Sequence, residues 1–444
     1  MQHLRTLLGH LRQCCETLPD KRRGINTTYP IADIGMAAFS IFFMQSPSFL
    51  AHQRQLRDGH GRSNCETLFG LSKIPSDNHI RDMLDPAEPA LLYPVFARVL
   101  AELEQSGGLS AFGRPGGHVL IGLDGTEYFC SDTIHCAQCS TRLRANTKIQ
   151  YHHTMLAATL VAPGHNQVVP LEPEFIAPKD GAEKQDCESR AARRWLAAHA
   201  SQYAHLKPIY LGDDLFSNQP MCQAVLDAGR HFLFTCKPAS HPLIQEYIAG
   251  IKLPTHTVTV KHGRKHFTHR FRWISGVPLR DTKDALRVNW FEIEIRNPAG
   301  DVTYRNSFAT SSFGNAGVPP TKRETDLPVN RANVVELAAS GRSRWKIENE
   351  TFNVLKTGGY HLEHSYGHGK KNLAALLVVF NLLAFAFHSV CDRAEDAWRL
   401  AREKAGSRAQ FFSRLATVTS FLIFSNWDAL VQTLAFTKPP PRPP

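Results

Sequence analysis

The chain has 444 residues, enough for two or three domains and a substantial core. With 43% hydrophobic and 20% charged residues its composition is that of an ordinary soluble globular protein. Its most apolar run, residues 373–387, falls short of the roughly 20 residues a membrane span needs and contains Asn381, so it reads as a buried core helix and no membrane role follows. The formal net charge of +11 favours an anionic partner, nucleic acid first. Ten cysteines behind an opening with no long apolar segment point to a reducing cytoplasm.

Residues 1–105 read as a helical N-terminal domain. Residues 32–45 are apolar almost all round, Ser46-Pro47-Ser48 restarts a helix, and short helices follow near Ile80 and over 90–104. Several short helices suit a DNA-binding module, and a helical packing domain has the same signature. Residues 106–117, rich in Gly, Ser and Pro, read as a linker.

The pattern then changes. Residues 118–124 form an apolar run ending at Asp124-Gly125-Thr126, and 150–162 and 167–176 read as two more strands. Helical periodicity over 186–203, a strand over 208–211 ending at Gly212-Asp213-Asp214, a helix over 216–228 and a strand over 231–236 complete the series. The fold class is α/β: a mixed sheet with flanking helices over 118–236, resumed at 313–392. Between them, residues 237–312 form a β-rich, basic insertion with strands over 255–261, 265–274, 289–296 and 302–308. Its stretch from Tyr247 to Arg280 has no acidic residue. Lys261, Arg264, Lys265, Arg270 and Arg272, interleaved with aromatic side chains, are therefore candidate phosphate contacts. Residues 393–437 read as a C-terminal helical segment, and 438–444, nearly all proline and basic, as a disordered tail.

Three acidic residues stand out. Asp124 lies on the first strand, Asp213 ends the fourth, and Glu348 belongs to the stretch Arg344–Lys356. Wound at 100° per residue, that stretch gathers Trp345, Ile347, Phe352, Val354 and Leu355 on one half of the helix, which includes Glu348. Glu350 falls opposite, with Lys346 and Asn353. A carboxylate on the core side of a helix needs a cation or a metal, and Arg344 offers an ordinary ion pair. Three convergent carboxylates offer the hard oxygen ligands that Mg²⁺, or Mn²⁺ in its place, requires for two-metal phosphodiester chemistry.

Leu123-Asp124-Gly125-Thr126, Tyr210-Leu211-Gly212-Asp213-Asp214-Leu215-Phe216 and Arg344-Trp345-x-Ile347-Glu348 together resemble the DDE transposases of bacterial insertion sequences. The resemblance spans about residues 118–390 and extends to the β-rich insertion. It implies a ribonuclease-H-like core with Asp124, Asp213 and Glu348 as catalytic metal ligands. It also implies cleavage of DNA at element ends, strand transfer into target DNA, and a homodimer on the terminal repeats. In the subgroup with this insertion the Glu lies in a pattern Tyr-x2-Arg-x3-Glu-x6-Lys. Arg344 and Glu348 keep their spacing, while the Tyr position is Gly341 and Lys356 comes one residue late. The phosphate contacts implied for Arg344 and Lys356 rest on those two positions. A catalytically inactive DNA-binding regulator and a nuclease without strand transfer are the alternative readings.

Two further groups carry metal-ligand chemistry. Cys136-x2-Cys139 follows Cys130 and precedes His152-His153, but one CxxC supplies only two of the four ligands zinc takes. His361, His364 and His368 suit phosphate contact or loop packing.

Overall fold

The computed structural model describes residues 1–23, 27–57, 63–144, 148–178, 186–311, 329–364 and 366–436. The tail at 438–444 and most of the polar segment before residue 329 lie outside them.

Helices Gln2–Glu16, Ile31–Phe43, Phe49–Arg57, Asn64–Phe69, Asp77–Leu84 and Pro94–Gln105 (α1–α6) come first. Ser63 and Ser76 cap α4 and α5, each accepting a backbone N–H through its hydroxyl. The sheet strands are Val119–Ser131, Ser140–Leu143, Ile149–Val161, Val169–Pro170, Glu174–Ile176, Pro208–Gly212, His231–Thr235, Thr255–His262, Lys265–Pro278, Arg287–Arg296 and Val302–Thr310 (β1–β11). Among them lie Glu188–His199, Gln219–Asp227 and Pro242–Ile248 (α7–α9). Val334–Arg342 (α10), a π-helical turn at Ile347–Phe352, Asn353–Thr357 (α11), Leu373–Ala394 (α12), Asp396–Ala405 (α13), Arg408–Phe421 (α14) and Trp427–Phe436 (α15) complete the chain.

The strands join one mixed sheet in the order β2-β3-β1-β6-β7-β11-β10-β9-β8, with β4 and β5 also along β3. β1 is antiparallel to β3 and parallel to β6, and β6 is parallel to β7. The insertion does not stand apart from this sheet. β11 pairs antiparallel with β7, so β11, β10, β9 and β8 prolong the same sheet.

The two helical ends of the chain pack together. α12, with α1, α2 and α6 against it, is the centre of the helical layer. Asn64 donates to the carbonyls of Thr419 and Leu422, and the Trp427 indole donates to Leu68. Every residue from Ala32 to Phe43 in α2 is buried, which is why that stretch is apolar all round. At 22 residues α12 is long and apolar enough to cross a membrane, so the length argument made from its sequence fails. Burial decides instead, because 94% of its most apolar window is covered by the protein.

Residues 106–117 are packed rather than a free linker. Phe112 is fully buried, and Arg114 pairs with Glu336.

Candidate active site

β1 and β6 run parallel with Gly122 opposite Leu211. Two residues further on, both chains carry an aspartate, Asp124 and Asp213, at the same end of the sheet. β1 does not turn at Asp124-Gly125, as an Asp-Gly pair suggests; it continues to Ser131 with Gly125 opposite Leu156.

Gly122 faces Ile347 of the π-turn, and strand alternation puts Asp124 on that same face. There Arg344 Nη1 donates to Asp124 Oδ2 at 3.1 Å and lies 2.8 Å from Glu348 Oε1. One guanidinium nitrogen therefore bridges the two carboxylates. Burial, with Glu348, Asp213 and Glu188 nearby, pushes the Asp124 carboxyl up to about 7 even though Arg344 pulls it down.

Asp213 and Asp214 have different employment. Asp213 Oδ1 accepts the backbone N–H of Leu215 at 2.9 Å. Asp214 turns to the segment after β7, where Oδ1 accepts the N–H of Lys237 and lies 3.4 Å from His241 Nε2. Asp213 is the one whose charge reaches Asp124.

Glu188, at the start of α7, is a fourth carboxylate that sequence reasoning missed. An acidic residue in a helix's first turn is ordinary, so it gave no local signal. It approaches Gly125, which faces away from the π-turn, and its pKa is raised by burial and by Asp213. A Cβ on Gly125 would lie 2.1 Å from Glu188 Oε1. Gly125→Ala is therefore expected to displace Glu188 and destabilise the fold by about 1–2 kcal/mol in denaturant unfolding. Adding Glu188→Ala should recover most of that loss; strictly additive effects would show that the two residues do not meet.

The helical wheel drawn at 100° per residue fails in detail. The i→i+5 hydrogen bonding of Ile347–Phe352 widens the turn. Trp345, expected in the apolar arc, is 42% exposed, while Lys346, expected in solvent, is buried with its ammonium on the carbonyl of His165. The Glu348 side chain is half exposed beside Arg344 rather than core-facing. Glu350 lies with Lys346, whose pKa its charge raises against the burial effect. The two glutamates still diverge, Glu348 toward Asp124 and Glu350 away from it.

The basic residues divide as well. Lys261, Arg264, Lys265 and Arg270 are exposed at and beside the β8–β9 hairpin. Arg272 is not free: it lies opposite the buried Glu292 across β9–β10 and donates to it at 2.7 Å. Arg270 lies opposite Glu294, itself held by Arg296 and Arg305. A stretch without acidic residues in sequence thus has its counter-charges on the adjacent strand. Phe271 and Trp273, between these arginines, face the core and are not free to stack on bases. Lys356 pairs with Glu363 at 2.8 Å.

The second group of candidate ligands also rearranges. Cys130 is exposed beside Arg142, away from Cys136 and Cys139. His153 and His368 approach those two cysteines, whereas His152, His361 and His364 do not join them. No protein-family model matches this chain, and no curated protein matches it.

Proposed function

We propose that this protein is a metal-dependent transposase that cleaves DNA at the ends of an insertion element and joins them to target DNA. The observation that carries this reading is that Arg344 bridges Asp124 and Glu348, while Asp213 follows the paired end of β6, the strand beside β1. The strand order supports a ribonuclease-H-like core: antiparallel β3 and β1 are followed in the sheet by parallel β6 and β7.

The donor set fits Mg²⁺ or Mn²⁺. All donors are hard carboxylate oxygens, and the only cation bonded to Asp124 and Glu348 among the described residues is Arg344. Bound there by Asp124, Asp213 and Glu348, the metal would activate an attacking oxygen and stabilise the leaving one. The chain's own contribution is placement. β1 holds Asp124 in mid-strand, the end of the neighbouring β6 leads into Asp213, and the π-turn presents Glu348 on the Asp124 side. Arg344 neutralises Asp124 and Glu348 and becomes free for a DNA phosphate once another cation takes its place. The partly exposed Lys356–Glu363 pair costs little to exchange for a phosphate contact.

The test is the full chain with DNA carrying the repeats that flank its gene, in Mg²⁺ or Mn²⁺. Cleavage followed by joining of the 3′ ends supports the proposal. Binding without cleavage would make it an inactive regulator, and cleavage without joining a nuclease.

Phosphate binding by the hairpin has its own readout. Replacing Lys261, Arg264 and Lys265 together with alanine should flatten the dependence of log affinity on log salt by about 0.9 for each phosphate no longer neutralised. Arg272→Ala should leave that slope unchanged and cost about 1–2 kcal/mol of stability, because the buried Glu292 would keep only its 3.8 Å contact with Arg305. An unaltered slope in the triple variant would show that the hairpin does not meet the DNA.

A further inference from the structure

The groups left unused by the acidic site include four ligand atoms that converge from separate parts of the sequence. Cys136 Sγ and Cys139 Sγ are 3.9 Å apart, and His153 Nε2 lies 3.5 Å and 3.3 Å from them. His368 Nε2 lies 3.4 Å from Cys139 Sγ and 3.1 Å from His153 Nε2. All four atoms fall within 4.8 Å of one another. A tetrahedral zinc with bonds of about 2.3 Å to sulfur and 2.0–2.1 Å to nitrogen has edges near 3.8 Å (S–S), 3.6 Å (S–N) and 3.3 Å (N–N). The separations given above lie close to those edges.

The surroundings are those of ligands held for a metal. His368 Nδ1 donates to the carbonyl of Gly369 at 2.9 Å, which leaves the lone pair on Nε2, the atom facing the sulfurs. The backbone N–H of Cys136 donates to Cys139 Sγ at 3.4 Å, which fixes the two cysteines in one tight turn. Cys139, His153 and His368 are each less than a tenth exposed, with Tyr128 stacked on His153 and Phe129 against His368. A disulfide does not account for the group, because the sulfurs stand at 3.9 Å and two imidazoles point between them.

We infer that Cys136, Cys139, His153 and His368 bind one structural zinc ion. Four protein ligands close the coordination shell, and two thiolates with two imidazoles select zinc over the hard cations suited to the carboxylates. The site is separate from the acidic one. His153 precedes Ala157, the partner of Asp124 across β1–β3, by four residues, or about 13 Å along the strand. Its mechanical effect is specific. Cys136 and Cys139 lie between β1 and β2 and His153 is on β3, while His368 is in the connection between α11 and α12. Zinc therefore ties the chain just downstream of Glu348 to the sheet that carries Asp124.

The inference stands whether or not the protein cuts DNA, and its test reads metal rather than activity. Full-length protein purified without chelator should carry about one zinc per chain by elemental analysis. Replacement by Co²⁺ should give the intense visible bands and the thiolate charge-transfer band of a tetrahedral site. Cys139→Ser and His368→Ala should each lose most of the zinc, while His368→Cys and Cys130→Ser keep it. Wild-type protein that is isolated without zinc, and takes up neither zinc nor Co²⁺ under reducing conditions, overturns the proposal. So does zinc content unchanged in both Cys139→Ser and His368→Ala. If those variants fail to fold, the wild-type Co²⁺ spectrum still decides, and an octahedral spectrum without a thiolate band is the overturning result.

Discussion

Glu348→Gln is expected to lower DNA cleavage about a thousandfold, and Glu350→Gln to leave most of it. The substitution at Glu348 keeps size and hydrogen-bonding capacity and removes the charge. The fold should persist, because that side chain is half exposed and its partner Arg344 retains Asp124. Glu350 lies on the Lys346 side, and no metal held by Asp124 comes within the roughly 2.1 Å that a Mg²⁺ ligand requires. The aspartates form a parallel pair. Asp213→Asn should match Glu348→Gln, whereas Asp214→Asn should chiefly loosen the attachment of Lys237 and His241. Rate assays on the four purified variants, with circular dichroism to verify folding, decide the assignment. A dead Glu350→Gln beside an active Glu348→Gln would reverse the register of the π-turn, and Arg344 would lose its place with it.

On the proposed function, the raised pKa of Asp124 should make metal binding depend on pH. Free in a chain, such a carboxyl titrates at its ordinary 3.8; here, without metal, it holds its proton up to about 7. Between those values the folded state binds more protons than the unfolded one. Stability of the metal-free protein should therefore fall as pH rises through that window and level off above it. Metal must displace the same proton. Apparent Mn²⁺ affinity should rise about tenfold per pH unit as pH approaches 7 from below, then flatten. Glu188, raised in the same direction by burial and by Asp213, adds to the trend. Titration calorimetry with Mn²⁺ over this range reads the slope directly. An affinity independent of pH between about 5 and 7 would mean that Asp124 is already ionised and not a ligand that exchanges proton for metal.

Local periodicity alone determined a good part of this protein. The alternation of the insertion strands, the apolar runs of β1, β3, β6 and β7 and the apolar character of α12 are all legible from residues within a few positions of one another. Such signals are local because they come from backbone geometry, period two in a strand and 3.6 in a helix. Asp124 and Asp213 could be singled out for the same reason, since each follows an apolar run.

What the tertiary structure alone decided involves distance along the chain or departure from regular geometry. Glu292 neutralises Arg272, 20 residues away, because strand register sets them opposite. Glu188 meets Gly125 because α7 crosses β1 where a side chain is absent. His368 reaches Cys139 from 229 residues downstream, so a CxxC that supplies half a zinc site acquires the rest only on folding. The π-turn exchanged the surroundings of Trp345 and Lys346, because a wheel of fixed angle cannot anticipate an i→i+5 turn. Sequence carries which residues can pair; the register between strands and the packing of helices select which of them do.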